Sequence, residues 1–302
     1  MQPESNKEII SNKPSGFSAR ISDYAQLSKL RLSFLVVFSA ALAFIMGSEG
    51  PVDWGKLLLL VAGGFLVTGA SNAFNQVIER DLDKLMDRTR GRPLPDQRMK
   101  PLAAILAAIL MGVTGLLILT LFMNPASGVL GLIALVSYAW LYTPLKRVTP
   151  FAVFVGAFPG AIPPLLGWVA ATGTFSMGGW MLFALQFLWQ FPHFWAIAWV
   201  MDDDYRKAGF ELLPSKGGRN KASALQAFVY AFSLIPLCFL LGLLEFTSMH
   251  TVAITTALSA AFAWQAYQLY KECSMETARK LMFGSFVYLP VVMIVILIDK
   301  II

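Results

Sequence analysis

Charge is what this chain has least of. Only 14% of its 302 residues are Asp, Glu, Lys or Arg, against about 25% in a soluble domain. That deficit excludes a surface that faces water throughout, and with it the reading of the length as two soluble domains. Cysteine is nearly absent too. Cys238 and Cys273 stand far apart, which excludes a disulfide framework and the paired spacing of a zinc site. Histidine is limited to His193 and His250. The first twenty residues have no apolar signal core, and Glu4 and Glu8 are unlike an acid-poor transit peptide. Residues 1–24 therefore read as a disordered cytosolic tail of a bacterial protein. Nothing supports a nucleic-acid partner.

What is present is apolar: 57% of residues are hydrophobic, and the mean hydropathy is +0.63. A hydrocarbon core of roughly 30 Å takes about 20 apolar residues as a helix. Candidate spans are 32–48, 56–77, 101–123, 127–143, 151–171, 179–200, 222–244, 250–269 and 281–299. The runs are long and do not alternate, so helices and not a closed barrel satisfy the backbone in lipid. The basic residues then set orientation. With the N-terminus inside, 22 of the 24 Lys and Arg fall on inside segments, and only Lys56 and Lys300 fall outside. This positive-inside pattern predicts a cytoplasmic N-terminus and an outside C-terminus in a bacterial plasma membrane. The expected fold is an all-α polytopic membrane protein: a single domain over 25–302, about nine transmembrane helices around a central cavity open to the cytoplasmic side.

Two inside loops concentrate the acids. The second span runs unbroken into Asn75-Gln-Val-Ile-Glu79-Arg80-Asp81-Leu-Asp83-Lys84-Leu-Met-Asp87-Arg88-Thr-Arg90-Gly-Arg92-Pro93-Leu94. Asn75, Glu79, Asp83 and Asp87 share a face if the helix continues. Like charges at that spacing repel, and a hard divalent cation turns the repulsion into coordination, commonly sharing phosphate oxygens. The plainer alternative is a solvated helix end on which Arg80, Lys84 and Arg88 neutralise the acids. The sixth span ends in Met201-Asp202-Asp203-Asp204-Tyr205-Arg206-Lys207. Three aspartates there oppose the partial negative charge of a helix C-terminus. Two acidic ends on one side, each followed by basic residues, suit a diphosphate bridged by metal.

At these residues the sequence resembles the UbiA superfamily of intramembrane prenyltransferases, whose first motif is Asn-Asp-x-x-Asp-x-x-x-Asp followed by Arg-Pro-Leu. Asn75, Gln76, Glu79, Asp83 and Arg92-Pro93-Leu94 fill those places, with Gln76 and Glu79 as departures. Tyr142-Thr-Pro-Leu-Lys146, Gly160-Ala-x-Pro163-Pro164-x-x-Gly167-Trp168, Trp189-Gln-Phe-Pro-His193-Phe-Trp195 and Asp204-Tyr205-x-x-Ala-Gly209 look like the heme-modifying branch. The similarity spans roughly 25–300. Tyr205 stands where other branches carry the last acid of a second motif, and Asp203 and Asp204 are favoured for that metal role. The resemblance implies Mg²⁺-dependent transfer of a farnesyl group from farnesyl diphosphate to a vinyl group of heme B, giving heme O for terminal oxidases. Heme B is then a substrate and not a cofactor. A heme A synthase or oxidase assembly factors are the implied protein partners, beside the lipid bilayer.

Ionising an allylic diphosphate demands preorganised positive charge at the leaving group. The expected metal and catalytic set is Asn75, Glu79, Asp83, Asp203 and Asp204. Arg88, Arg92, Lys146, Lys207 and Tyr142 are the expected diphosphate contacts, Arg92 and Lys146 foremost, the plainer role of those two being to snorkel at the interface. His193 lies ten residues before Asp203, which places it about 15 Å deeper on a helix. An ionisable residue at that depth is a functional candidate, and imidazole ligates heme iron, so His193 is the expected heme contact. Its plainer role is to bond a carbonyl freed by Pro192. The rival readings are a quinone-precursor prenyltransferase, a transporter with helices broken at Pro159 to Pro164, and a non-catalytic oxidase assembly factor. Acids at the helix ends and not mid-span argue against the transporter.

Overall fold

The computed structural model describes residues 16–301. It is helical, with no strand among the described residues. A short helix α1 (Phe17–Leu27) precedes α2 (Leu30–Gly47) and α3 (Trp54–Asp83). Then follow α4 (Pro101–Met123), α5 (Pro125–Leu145) and α6 (Ala152–Thr172). The chain continues through α7 (Met177–Lys207), α8 (Lys221–Leu243), α9 (Met249–Glu272) and α10 (Met275–Ile301). Each of the nine expected spans falls on one of α2 to α10. Seven of these helices are long and apolar enough to cross a membrane. The other two, α7 and α9, carry more polar residues: Gln186, Gln190 and the three aspartates on α7, and Gln265 and Gln268 on α9.

The helix starts have local causes. Asp53, Asn124, Asn220 and Ser248 each accept a hydrogen bond from the amide three residues on, which satisfies one of the four orphan donors of a helix N-terminus. Pro101 and Pro125 open α4 and α5, where a missing N–H costs nothing. The expected tail overlaps the described residues only at its end. Its first fifteen residues lie outside the described residues, but Phe17 to Tyr24 are helical, and Arg98 pairs with Asp23 to hold α1 against the 84–100 loop.

α2 packs against α3, α6 and α10, and α7 against α6, α8 and α10, so the bundle closes on itself. Close approach depends on small residues. A Cβ on Gly167 would lie 1.9 Å from the Ala40 carbonyl oxygen, and one on Gly156 would lie 2.6 Å from the Tyr142 ring. The first lets α6 cross α2 backbone to backbone, and the second lets Tyr142 lie flat on α6. Prolines inside α6 free carbonyls that the fold reuses: Pro164 cannot donate to Gly160 O, and Gln186 Nε2 on α7 donates to it instead at 2.6 Å.

Candidate active site

The site is built on the end of α3. This helix continues past its apolar stretch to Asp83, so Asn75, Glu79 and Asp83 stand on one face and are all buried. The helix stops there. Asp87, which an unbroken helix would have added to the row, instead lies exposed in the following turn and pairs with Arg90 and Lys207.

Each buried acid has a cation. Glu79 Oε1 is 2.6 Å from Lys146 Nζ, and Asp83 Oδ2 is 2.7 Å from Arg92 Nη1. Asn75 Nδ2 donates to Glu79 Oε2 at 2.9 Å and to Thr143 Oγ1 at 3.1 Å. Asp83 is 0% exposed, and its second oxygen, Oδ1, has no hydrogen-bond partner. A buried carboxylate oxygen left without a partner is costly, and it is the natural place for a ligand atom.

Lys29 is a member that the sequence reading missed. Its Nζ lies 3.4 Å from Asn75 Oδ1. The residue is held at φ 48 in the turn between α1 and α2, a conformation that costs about 1–3 kcal/mol for a residue with a Cβ. Burial, with Arg92 and Lys146 nearby, pushes its ammonium down to about 7. Gln76, the departure from the family motif, takes no part in the acidic face. Its Nε2 donates to the Gln26 and Leu27 carbonyls at 3.1 and 2.7 Å, satisfying orphan acceptors at the end of α1. Asn72 adds a contact of 3.4 Å to Ser28 O, so α3 fixes the turn that presents Lys29.

The second acidic segment does not join the first as expected. Among the described residues no three Asp, Glu, His or Cys side chains converge on a common point. Asp202 is buried against Arg206 at 2.8 Å. Asp203, an expected metal ligand, is 79% exposed and bonds Arg219 at 3.0 Å. Consecutive helical residues fan out by about 100°, so all three cannot face one ion. Asp204 turns towards the first segment and accepts the amides of Asp87 at 2.8 Å and Arg88 at 3.4 Å. Desolvation raises its pKa, but those amides and Lys207 outweigh it and hold the carboxyl below its usual value. Two of the expected diphosphate contacts belong to this second group: Arg88 lies over the Tyr205 ring at 5.5 Å, and Lys207 pairs with Asp87 and Asp204. Arg92, Lys146 and Tyr142 stay with the buried acids, and Lys146 Nζ sits 5.0 Å from the Tyr142 ring and 5.5 Å from that of Phe210.

Behind the acids lies a cavity of about 240 Å³. Asn72 and Ser71, one turn below Asn75, line it together with Tyr138, Tyr142, Gln186 and His193. The stretch Ser137–Tyr142 is a wider, π-helical turn, a feature frequent at functional sites, and it carries both tyrosines. Leu32 and Leu35 also line the cavity and are 45% and 60% exposed, so it opens sideways beside α2 on the apolar flank of the bundle. Phe194 is the phenylalanine that lines the cavity; Phe154, Phe158, Phe187 and Phe191 form a separate ring cluster between α6 and α7, with centroids 5.0–5.9 Å apart.

Residues 36–288 match the UbiA prenyltransferase family. The chain belongs to that family. The enzyme is therefore a membrane prenyltransferase. It is 46% identical over 284 residues to the protoheme IX farnesyltransferase of Cytophaga hutchinsonii, covering 94% of this chain and 99% of that protein. It is 45% identical to the protein of the same name from Christiangramia forsetii, covering 93% and 94%. Among solved structures, a UbiA homologue from Archaeoglobus fulgidus bound to GPP and Mg²⁺ superposes with a TM-score of 0.66 at 14% identity, over 91% of this chain and 99% of that one. The apo UbiA homologue from Aeropyrum pernix K1 gives 0.66 at 19% identity, over 88% and 96%. Those likenesses speak to the fold, which the prenyltransferase shares.

Proposed function

We propose that the enzyme transfers a farnesyl group from farnesyl diphosphate to a vinyl group of heme B, giving heme O. The observation that carries this reading is the juxtaposition of a buried, cation-paired row of acids with an apolar cavity that leads to His193. The names of the Cytophaga and Christiangramia relatives support the choice of acceptor.

A divalent metal fits the row. The donors are all hard oxygens, Asp83 Oδ1 lacks a partner, and Mg²⁺ commonly takes one or two protein carboxylates and completes its shell with substrate phosphate. Asn75, Glu79 and Asp83 would hold it, and Asp204 would anchor the 84–90 turn beside it and not ligate. When bound, the ion supplies Lewis-acid stabilisation of the departing diphosphate. Arg92 and Lys146 point fixed positive charge at the same leaving group, with Lys29 beside them, and such preorganised charge costs no reorganisation as the bond breaks. The allylic cation then faces Tyr138, Tyr142 and Phe194, which line the cavity and whose ring faces attract it, while the apolar walls exclude water. The cavity is smaller than the roughly 300–1,000 Å³ typical of pockets that bury a whole ligand. It therefore takes one edge of the macrocycle, with the remainder towards the lateral opening at Leu32 and Leu35. His193 contacts that heme. The acids face the cytoplasm of a bacterial cell, as the distribution of basic residues supports.

The test is one assay with purified protein, Mg²⁺, farnesyl diphosphate and heme B, read by product mass. A farnesylated, hydrated heme is expected. Transfer to an aromatic acid with none to heme would assign the enzyme to the quinone-precursor class instead.

A further inference from the structure

His193 is one of only two histidines in the chain, and its surroundings determine which ring nitrogen carries hydrogen. Nδ1 lies 2.8 Å from Ser285 Oγ on α10. The same Oγ lies 2.6 Å from the Met282 carbonyl oxygen. A hydroxyl has one hydrogen and a carbonyl has none to give. Two oxygens 2.6 Å apart repel unless a hydrogen lies between them, so the Ser285 hydrogen points at Met282 O. The hydrogen in the other contact must then come from the imidazole. Nδ1–H donates to Ser285 Oγ, and Nε2 keeps a bare lone pair.

The ring is fixed in the other directions as well. Trp189 stacks on it with centroids 4.4 Å apart and planes 21° apart, and Trp189 Nε1 donates to the Ser285 carbonyl at 3.0 Å. Phe286 meets the ring edge-on at 5.3 Å. Ser285 is fully buried, whereas His193 lines the cavity, and no group among the described residues bonds Nε2. We infer that Ser285 is a positioning residue: it locks His193 as the Nδ1–H tautomer and leaves Nε2 as the ring nitrogen free to ligate the iron of the porphyrin substrate. This rests on the heme reading above. The partner of one ring nitrogen sets what the other can do, and such a supporting contact tunes ligand strength.

The experiment uses full-length protein in detergent with ¹⁵N-labelled histidine and His250→Gln, an exposed position, so that His193 is the only imidazole. NMR shifts of the two ring nitrogens then report the tautomer directly, without heme. Hydrogen on Nδ1 is expected in this parent. Ser285→Ala, which removes one oxygen from a packed position, moves hydrogen to Nε2, and Ser285→Thr, which retains a hydroxyl, restores it to Nδ1. In a titration with ferric protoheme, Ser285→Ala weakens binding about tenfold or more and diminishes the absorbance signature of imidazole ligation, while farnesyl diphosphate binding is unchanged. Hydrogen on Nε2 in the parent, or a tautomer unmoved by Ser285→Ala, overturns the proposal. So does a moved hydrogen with unaltered heme affinity while His193→Ala still loses heme; that result leaves the heme reading intact. Unaltered heme affinity in His193→Ala removes the heme reading and this proposal with it.

Discussion

The two acidic helix ends contain similar residues and do different things. On α3 the polar residues recur every fourth position, and the helix gathers Asn75, Glu79 and Asp83 into one buried row. On α7 the three aspartates are consecutive, and the helix scatters them: one to Arg206, one to Arg219, and one across to the Asp87 and Arg88 amides. Spacing and not acid count decides which end concentrates field. Asp204 also lies eleven residues beyond His193, close to three full turns at 3.6 residues each, so it shares a face with the cavity-lining residues of α7, whereas Asp203 is rotated away.

Substitutions in the two segments can break that comparison. The largest effect is expected at Asp83→Ala, which removes the buried carboxylate and leaves Arg92 unpaired. Turnover should fall on the order of 10²-fold or more, and excess chelator should abolish the activity of the parent enzyme. Full activity of Asp83→Ala in chelator would show that no metal is held there. Asp204→Ala should cost less, about tenfold, because it releases the 84–90 turn and removes no donor from the row. Kinetics should show the loss mainly in KM for farnesyl diphosphate, and a loss as large as that of Asp83→Ala would make Asp204 a direct ligand. Asp203→Ala should stay within about twofold, as exposed ion pairs contribute little; a collapse in its rate would mean that α7 rotates on binding.

A fourth measurement sharpens the premise that both ends share one side. In a background lacking Cys238 and Cys273, a cysteine placed at Arg90 should resist a membrane-impermeant label added outside the cell, and one at Thr174 should react. The reverse pattern would put the acidic row on the outer face.

The helices were legible because long apolar runs allow few alternatives, and the α3 row because four-residue spacing on a helix has one geometric outcome. The outward position of Asp203 was not legible because a run of like residues carries no phase: only the rotation of α7, set by packing, tells which aspartate faces inward. Whether Asp87 would join the row was left to whether the helix continues, because the end of α3 is decided by the turn that Thr89 closes onto the Asp83 carbonyl at 2.8 Å, and that is not a pattern of apolar residues. Lys29 was counted only as one more inside cation. Its place in the site depends on a left-handed turn held by Asn72 and Gln76 from 44 and 50 residues along the chain. Ser285 gave no signal at all, since a serine in an apolar helix ordinarily bonds its own backbone, and this one does so while also facing His193.

The pairing of Glu79 with Lys146 and of Asp83 with Arg92 has a consequence for how the substrates load. A carboxylate that turns to a metal ion releases its lysine or arginine, and a released cation in a buried site is poorly compensated unless an anion arrives with it. Equally, a diphosphate that draws Arg92 and Lys146 away leaves two buried carboxylates in want of positive charge. The two arrivals therefore relieve each other's cost. Metal and diphosphate should show strong positive linkage, each raising the affinity of the other by the same factor, so that calorimetry finds weak binding of either alone and tight binding of the pair.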